Sequence, residues 1–522
     1  MNDSVLQNAM RAHQTGNLSE AARLYGEVLR GDPRHFQALF ALGAVYYQAG
    51  RFEEAQRLIA NAIAINPRVP EAFFTRGCAF QRLNRAPEAL ACFDQALALK
   101  PNLADAHTNR GMCLMALNRD EQALESLDLA LALDPANVGT WNNRGCVLHK
   151  MGRYDDAIAA FGKALVSVPR SVEALVNRGS AYGALKRYGE AANDFQRVLV
   201  IDPEFAYARG NLILNRMQAS DWRHFEADRN AISSGLAAGK RIIYPFINVA
   251  LSRSPADQLQ CARLWVAHQA PLSPAPLWRG EIYRHEKIRV AYISADFHAH
   301  ATPALMAGVF EQHDRGRFEL IALSFGPDDK SEMRTRVKAA FDRFIDVREK
   351  SDAETALLMR QMEIDIAVDL KGYTKDHRSG IFAHRPAPIQ ASYLGYPGTM
   401  GAPYFDYIIA DAIVIPDDQR PYYTEKIVHL PDSYQCNDSR RAIAGHRFTR
   451  REVGLPDSGF VFCCFNNNYK ITPEIFALWM RLLHGVPVSV LWLLEDNTEA
   501  MRNLKREAEA HGIAANRLVF AP

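Results

Sequence analysis

A spacing of 34 residues governs the first 205 residues of the chain. Prolines stand at 33, 67, 101, 135, 169 and 203, each one period after the last. Glycines keep the step at 43, 77, 111, 145 and 179, and alanines at 21, 55, 89, 123, 157 and 191. A bulky row reads Tyr25, Ile59, Phe93, Leu127, Phe161, Phe195, with Val28, Ala62, Ala96, Ala130, Ala164 and Val198 beside it. Six units in register, each closed by a proline, form the tetratricopeptide pattern of antiparallel helix pairs. Small residues let two helices approach, the bulky row fills the space between units, and proline removes an N–H donor and ends the second helix. No unit buries its own apolar face, so the units must stack into a superhelical solenoid with a concave groove.

Two residues before the repeat glycine stand Thr75, Asn109, Asn143 and Asn177, and the next period gives Asn211. An asparagine ladder offers paired donors and acceptors that can clamp a peptide backbone whatever its sequence; local capping or inter-repeat bonding is the alternative use. Arg76, Arg110, Arg144 and Arg178 run beside it, suited either to a ligand or to inter-repeat salt bridges. Cys78, Cys113 and Cys146 read as helix packing.

From 206 the pattern stays helical but loses the period, and Gln269-Ala-Pro-Leu-Ser-Pro-Ala-Pro marks a linker, giving a connector over 206–285. Strands are then expected at Ile288–Ser294, Phe318–Phe325, Ile364–Leu370, Ile389–Leu394 and Tyr407–Ile409. Helices are expected between them at Thr302–Glu311, Ser331–Phe341 and Ala353–Met362. Alternation of this kind argues a parallel, doubly wound sheet over 286–445. A second lobe starts at 446: a buried strand Phe460–Phe465, a helix Pro473–Leu483, a strand Val488–Leu494, a helix Asn497–Gly512 and a strand Arg517–Ala521. Three strands fall short of a Rossmann-like lobe, which needs on the order of 100 residues, so this lobe, 446–522, is expected to be incomplete.

Composition removes several classes of function. Lys+Arg 61 against Asp+Glu 59 leaves a net charge of +2, so no global field draws nucleic acid or an anionic membrane. No apolar run approaches a membrane span, and the N-terminal residues lack a signal-peptide pattern. The eight cysteines form no CxxC pair, which points to reduced thiols in a cytoplasmic setting and away from a cysteine metal site.

Ligands of doubly wound sheets bind beyond the carboxyl ends of the strands. Three loops lie there. Ser294-Ala-Asp-Phe-His-Ala-His-Ala-Thr302 places Asp296, His298, His300 and Thr302 on one edge, suited to proton transfer and hydrogen bonding. His298 and His300 could also chelate a metal, though no third ligand is evident, and Asp296 could simply cap the following helix. Leu394-Gly-Tyr-Pro-Gly-Thr-Met-Gly401 is either a tight turn or a loop whose glycines admit a ligand, with Pro397 stiffening it. Cys464-Phe-Asn-Asn-Asn-Tyr-Lys470 sets Lys470 beside a helix start, where a point cation can meet phosphate, with Asn467 near. The loop Gly372-Tyr-Thr-Lys-Asp-His-Arg378 adds Lys375 and Arg378 as possible phosphate or acceptor contacts, while Cys463 and Cys464 read as strand packing.

The order of parts resembles the O-linked N-acetylglucosamine transferase family, including its bacterial and SPINDLY-like members. The resemblance rests on the asparagine ladder, Ser220-Asp-Trp222, SADFHAHAT, GYTK, RPAPIQ from Arg385 to Gln390, LGYPGT, FNNNYK and SVLWLLED. It implies a fold of tetratricopeptide α-solenoid followed by an α/β GT-B-like region with a complete first and a partial second Rossmann-like lobe. It also implies inverting, metal-independent transfer of a sugar from a nucleotide donor, UDP-N-acetylglucosamine, to Ser or Thr hydroxyls of protein acceptors in the repeat groove. GDP-fucose is the alternative donor, and a non-catalytic peptide-binding scaffold the alternative role. By resemblance His300 and Asp296 would be catalytic, Asp296 accepting a proton directly or through water, and Lys470 would neutralise the leaving diphosphate. Thr302, Leu394, Gly395, Pro397 and Asn467 would surround the donor, and Asn109, Asn143, Asn177 and Asn211 would bind peptide. Asn467 stands where animal members have Gln, and Ala-Gly-Lys-Arg-Ile-Ile before Tyr244-Pro245 lacks their histidines. The family's main uracil and ribose contacts are expected beyond Pro522, which puts the activity of the chain as it stands in question.

Overall fold

A computed structural model describes residues 2–443 and 445–521; Met1, Ala444 and Pro522, the outer ends of the expected domains among them, lie outside it. The chain divides into two compact units, Met1–Ile201 and Asp202–Pro522. Among the described residues no helix is long and apolar enough to cross a membrane.

The first unit is six helix pairs: Asn2–Gln14 with Leu18–Gly31, Phe36–Gln48 with Phe52–Ile65, Pro70–Arg82 with Ala86–Leu99, Ala104–Ala116 with Asp120–Leu133, Val138–Lys150 with Tyr154–Ser167, and Val172–Ala184 with Tyr188–Ile201. The glycine and bulky rows are two halves of one contact. A Cβ on Gly43 would lie 2.5 Å from Ile59 Cγ1, on Gly77 2.7 Å from Phe93 Cε1, and on Gly111 2.7 Å from Leu127 Cγ. Gly145 and Gly179 face Phe161 and Phe195 in the same way. In the first pair, where Ala9 stands at the glycine position, Ala9 and Tyr25 are both buried. Each pair thus closes on one bulky side chain seated over a bare backbone, at interior packing density.

The second unit begins with helices Ala208–Gln218, Phe225–Ala237, Pro245–Leu251 and Pro255–Gln269. Seven parallel strands follow: β1 (Ile288–Ser294), β2 (Phe318–Ser324), β3 (Arg343–Asp346), β4 (Ile366–Asp369), β5 (Ile389–Tyr393), β6 (Tyr407–Ala410) and β7 (Lys426–His429), in the order β3-β2-β1-β4-β5-β6-β7. Alternate residues of one strand serve opposite cores: Ala291 and Ile293 lie in one cluster, Val290 and Tyr292 in another. Both faces are buried, which explains the near-continuous apolar runs that announced these strands. Strands β3 and β7, which the sequence reading passed over, are four-residue, half-exposed elements at or near the sheet edges.

A second parallel sheet, in the order β10-β9-β8, holds β8 (Phe460–Cys464), β9 (Ser489–Leu494) and β10 (Leu518–Ala521), with helices Pro473–Gly485 and Thr498–Ala510 between them. Here one expectation is corrected. The apolar run at 460–465 is an edge strand rather than a buried one: Phe460 is 57% and Phe465 49% exposed, and Cys463 is exposed instead of packed. Pairing on one side only leaves such a strand half in solvent.

The stretch set apart as connector and linker is structural in both lobes. Ile213, Met217, Trp222, Phe225 and Leu236 share one core with Phe476, Met480, Leu491 and Leu504 of the second lobe. Helix Pro255–Gln269 gives Cys261 to that core and Ala262 and Val266 to the first lobe's. The carbonyls ending helix Ala208–Gln218 are held by second-lobe asparagines: Gln218 O by Asn497 (3.0 Å) and Asn468 (3.4 Å), Ala219 O by Asn503 (2.8 Å). The Pro-rich linker runs along the first lobe, with Ser273, Leu277 and Trp278 N–H groups donating to the carbonyls of Ala383, His384 and Arg385.

The glycine–bulk pairing gives a direct test. Gly111→Val should destabilise the protein by about 2 kcal/mol through overpacking against Leu127, and Leu127→Ala by about 3 kcal/mol through the cavity it leaves. Urea denaturation followed by helical circular dichroism should show Gly111→Val/Leu127→Ala costing clearly less than the sum, because the added side chain fills the vacated space.

Candidate active site at the carboxyl edge of the first sheet

The strand order reverses between β1 and β4, the position at which open parallel sheets form a crevice. Asp296 follows β1 and Lys371 follows β4, and they meet there. Lys371 Nζ lies 2.9 and 3.0 Å from the two carboxylate oxygens of Asp296. Asp296 is 6% and Lys371 5% exposed, so this is a nearly dry ion pair. The loop from Asp296 to Thr302 is fixed at each step. Ser294 Oγ accepts from Asp296 N–H at 3.0 Å, Phe297 O accepts from buried Arg334 at 2.8 Å, and Asp329 accepts from Ala299 N–H at 2.8 Å. Backbone N–H donors from Ala299 and Ser331 hold the Asp329 carboxyl down to about 2.

The helix cap falls to His300 and not to Asp296: His300 Nδ1 accepts from Thr302 N–H at 3.2 Å at the start of helix Ala301–Gln312. An accepting Nδ1 leaves the ring proton on Nε2, so His300 presents a donor to the open edge. Burial, chiefly, pushes its pKa below the ordinary histidine value; Lys371 and His298 push the same way and Asp296 opposes them. Thr302 Oγ1 donates to Asp296 Oδ2 at 3.4 Å, and His300 Nδ1 lies 3.7 Å from the same oxygen. Thus Asp296, His300 and Thr302, singled out by type and spacing, converge on one point. Lys371, which completes the cluster, was missed because the loop was read from Gly372 onward. Its signal was a charged pair, Asp369 and Lys371, ending an otherwise apolar strand. Among the described residues no three His, Cys, Asp or Glu side chains are gathered as a metal requires.

The loop after β5 lies beside this edge. Leu394 adopts φ +67°, a left-handed backbone that a branched side chain rarely holds. A Cβ on Gly395 would collide with the Leu370 carbonyl, so the glycine lets β5 pass close to the end of β4. Leu394 and Gly395 are half-buried and Pro397 is exposed. Two other motifs prove structural. Arg378 binds Asp352 at 2.7 Å and the carbonyls of Val347 and Lys350 at 3.0 and 2.7 Å. Arg385 and Gln390 of RPAPIQ lace β5 to the turn before β6 through Asp406 and the Tyr404 carbonyl.

In the second lobe Asn467 and Lys470 are exposed, and Lys470 precedes Thr472, whose hydroxyl caps helix Pro473–Gly485. Neither bonds to the Asp296 cluster among the described contacts. Between them Asn468 and Tyr469 are buried, fastening this loop to the end of helix Ala208–Gln218.

In the repeat unit the asparagine row is partly engaged within the protein. Asn177 Nδ2 donates to Asn142 Oδ1 at 3.0 Å, and Asn109 approaches Cys78 Sγ at 3.9 Å, while Asn109, Asn143 and Asn177 all remain half-exposed. Asn211 belongs to the second unit, beside Tyr244. The arginine row makes salt bridges: Arg110 with Asp94 and Arg144 with Asp128, both at 2.7 Å to the preceding repeat. Gly162 interrupts the aspartate row, and Arg178 turns instead to Asp194 of its own repeat at 2.7 Å.

Asp369 stands behind the pair, fully buried, its pKa pushed up to about 6 by burial against the pull of the Lys371 and Gly372 N–H groups. A raised folded pKa means the folded protein keeps a proton that the unfolded chain releases near 4, so this contribution to stability is lost as pH rises from about 4 through 6. Asp369→Asn should remove it, making the variant roughly 2 kcal/mol better relative to wild type at pH 7.5 than at pH 4. Urea midpoints at the two pH values measure this.

Comparison with known proteins agrees with this architecture. Residues 253–448 and 445–522 match Glycosyl transferase family 41, and residues 12–73, 74–138 and 142–206 match tetratricopeptide repeats. The chain is 34% identical over 293 residues to a probable UDP-N-acetylglucosamine–peptide N-acetylglucosaminyltransferase, SEC, of Arabidopsis thaliana, covering 53% of this chain and 30% of that one. It is 24% identical over 369 residues to the UDP-N-acetylglucosamine–peptide N-acetylglucosaminyltransferase of Caenorhabditis elegans, covering 49% and 32%. The chain therefore spans about a third of the length of these curated relatives. A solved mutant O-GlcNAc transferase of Thermobaculum terrenum superposes with a TM-score of 0.57 at 25% identity, over 80% of this chain and 74% of that one. With a match that runs through both lobes and takes in more than half of its residues, the chain belongs to glycosyl transferase family 41.

Proposed function

We propose that the chain transfers N-acetylglucosamine from UDP-N-acetylglucosamine to Ser or Thr hydroxyls of protein acceptors, in the cytoplasm, with inversion and without a metal. The observation that carries this reading is the convergence of Asp296, His300 and Thr302 at the reversal of strand order in a family 41 chain. The names of its relatives support the donor. In the reaction the acceptor oxygen bonds to the anomeric carbon as the bond from that carbon to the diphosphate oxygen breaks. UDP leaves, and the hydroxyl proton passes to a base at the edge, Asp296 directly or through water. His300 Nε2–H donates to an oxygen of donor or acceptor. Thr302, Leu394, Gly395, Pro397 and Asn467 surround the donor. Lys470 meets the negative charge that develops on the leaving diphosphate, where a fixed cation is worth most. Asn109, Asn143, Asn177 and Asn211 hold the backbone of the acceptor.

Calorimetric titration with UDP and with GDP tests the donor. Saturable UDP binding in preference to GDP is expected; preference for GDP would move the donor to GDP-fucose, and binding of neither would overturn the reading in favour of a peptide-binding scaffold. Lys470→Ala should lower transfer of labelled sugar to protein by roughly a hundredfold or more with unchanged circular dichroism, and an unchanged rate would remove Lys470 from the chemistry.

A further inference from the structure

The Asp296–Lys371 pair poses a question that sugar transfer alone does not answer. A carboxylate in a dry site is costly, and an ammonium there is costly too; the two persist because each satisfies the other. Lys371 bridges both carboxylate oxygens, and its own backbone N–H donates to Asp369 Oδ1 at 2.8 Å. One lysine therefore ties the end of β4 to the loop after β1, across the crevice where the strand order reverses. The same Asp296 oxygen that accepts from Thr302 lies 3.7 Å from His300 Nδ1.

We propose that Lys371 is a positioning residue for sugar transfer: its ammonium holds the Asp296 carboxylate in place and so keeps His300 in its neutral, helix-capping form with Nε2–H directed to the open edge. This rests on the activity proposed above. The charged and titratable groups facing His300 are Asp296, His298 and Lys371, with Asp369 behind Lys371 and Asp329 beside His298. Of these the lysine is the cation that opposes protonation of His300 and balances the anion that favours it. Without Lys371, an unbalanced carboxylate faces the imidazole. Nδ1 then takes a proton in order to pair with Asp296, can no longer accept from Thr302 N–H, and the start of the helix loses its cap.

The experiment is the pH profile of kcat/KM for UDP-N-acetylglucosamine in the whole chain carrying Lys371→Met or Lys371→Arg, together with UDP affinity by calorimetry, and the His300 ring titration by NMR in these variants and in Lys371→Met/Asp296→Asn, which lacks the proposed base and is not assayed for transfer. In Lys371→Met the low-pH limb should move up by about one pH unit or more, as expected when a histidine gains an unbalanced anion. Rate near neutrality should fall about tenfold, the scale of losing an orienting partner, while UDP affinity stays within about twofold of wild type, because Lys371 is not placed on the nucleotide. Lys371→Arg should bring the limb back, and in the double variant, which carries neither charge, the His300 ring titration should return to its wild-type position. Lys371→Arg also covers the case in which Lys371→Met alone fails to fold. A Lys371→Met profile that superimposes on wild type overturns the proposal. So does a double variant whose His300 titration stays displaced. If the wild-type chain transfers no sugar, the proposed function falls and this role with it; if wild type transfers and only the limb fails to move, the role alone falls.

Discussion

Both faces of the seven-stranded sheet are covered, and that single constraint decides where the first lobe can keep polar atoms. Neither helical layer has room for an unpaired charge: Arg289 at the amino end of β1 is paired with Glu319, and Asp296, Asp369 and Lys371 lie at the carboxyl ends of β1 and β4. There, where the strand order reverses, Asp296 and Lys371 meet. The desolvation that makes an isolated charge untenable also makes a matched pair rigid. Asp369, behind them and without a cation of its own, carries the strain of the arrangement as a raised affinity for a proton. The loop after β1 is held from outside by Arg334 and Asp329, which come from the segment after β2, and from within by the cap that His300 makes. A site assembled in this way is set by the sheet before any ligand arrives, as charge stabilisation of a transition state requires.

The repeat unit follows a different rule, in which every decision is local. A glycine on one helix and a bulky side chain sixteen residues later form a single joint, repeated with Ile, Phe or Leu in the socket. Position in the period predicts the partner, and the exceptions can be traced. Where Gly162 breaks the aspartate row, Arg178 changes partner, and Arg76, which has no aspartate in either position, lies over the ring of Phe80. Beside these joints Thr75, Asn109, Asn143 and Asn177 form a half-exposed polar row.

Much of this was legible in the residues. The period named the repeat unit, the long apolar runs named β1, β2, β4 and β5, and type and spacing placed Asp296, His298, His300 and Thr302 on one edge. What escaped has a common physical origin, namely dependence on partners distant in sequence. Strands β3 and β7 are too short and too exposed to carry a period of their own. Phe460 to Phe465 reads as buried because its composition is apolar, yet burial depends on a neighbour strand that composition does not reveal. Lys371 and Arg378 are both basic residues in loops after strands. Only the fold shows that the first meets Asp296 in the crevice while the second braces the loop behind it. The helices between 206 and 269 read as a spacer because nothing within them shows that Trp222 and Cys261 complete other lobes.

The carbonyl of Gln218 is satisfied by Asn497, a residue 279 positions further along the chain. At a synthesis rate of about 5–20 residues per second, the end of helix Ala208–Gln218 and the apolar flank beside it wait roughly 15 to 55 seconds for their partners to leave the ribosome. During that interval the repeat unit, whose joints are all local, can be complete. The first lobe can close on Ala262 and Val266 while Trp222, whose ring meets Phe476 of the second lobe, still faces water. The helices ahead of the first sheet are therefore the part of the nascent chain most in need of protection, and the helices and strands of the second sheet are what relieve it.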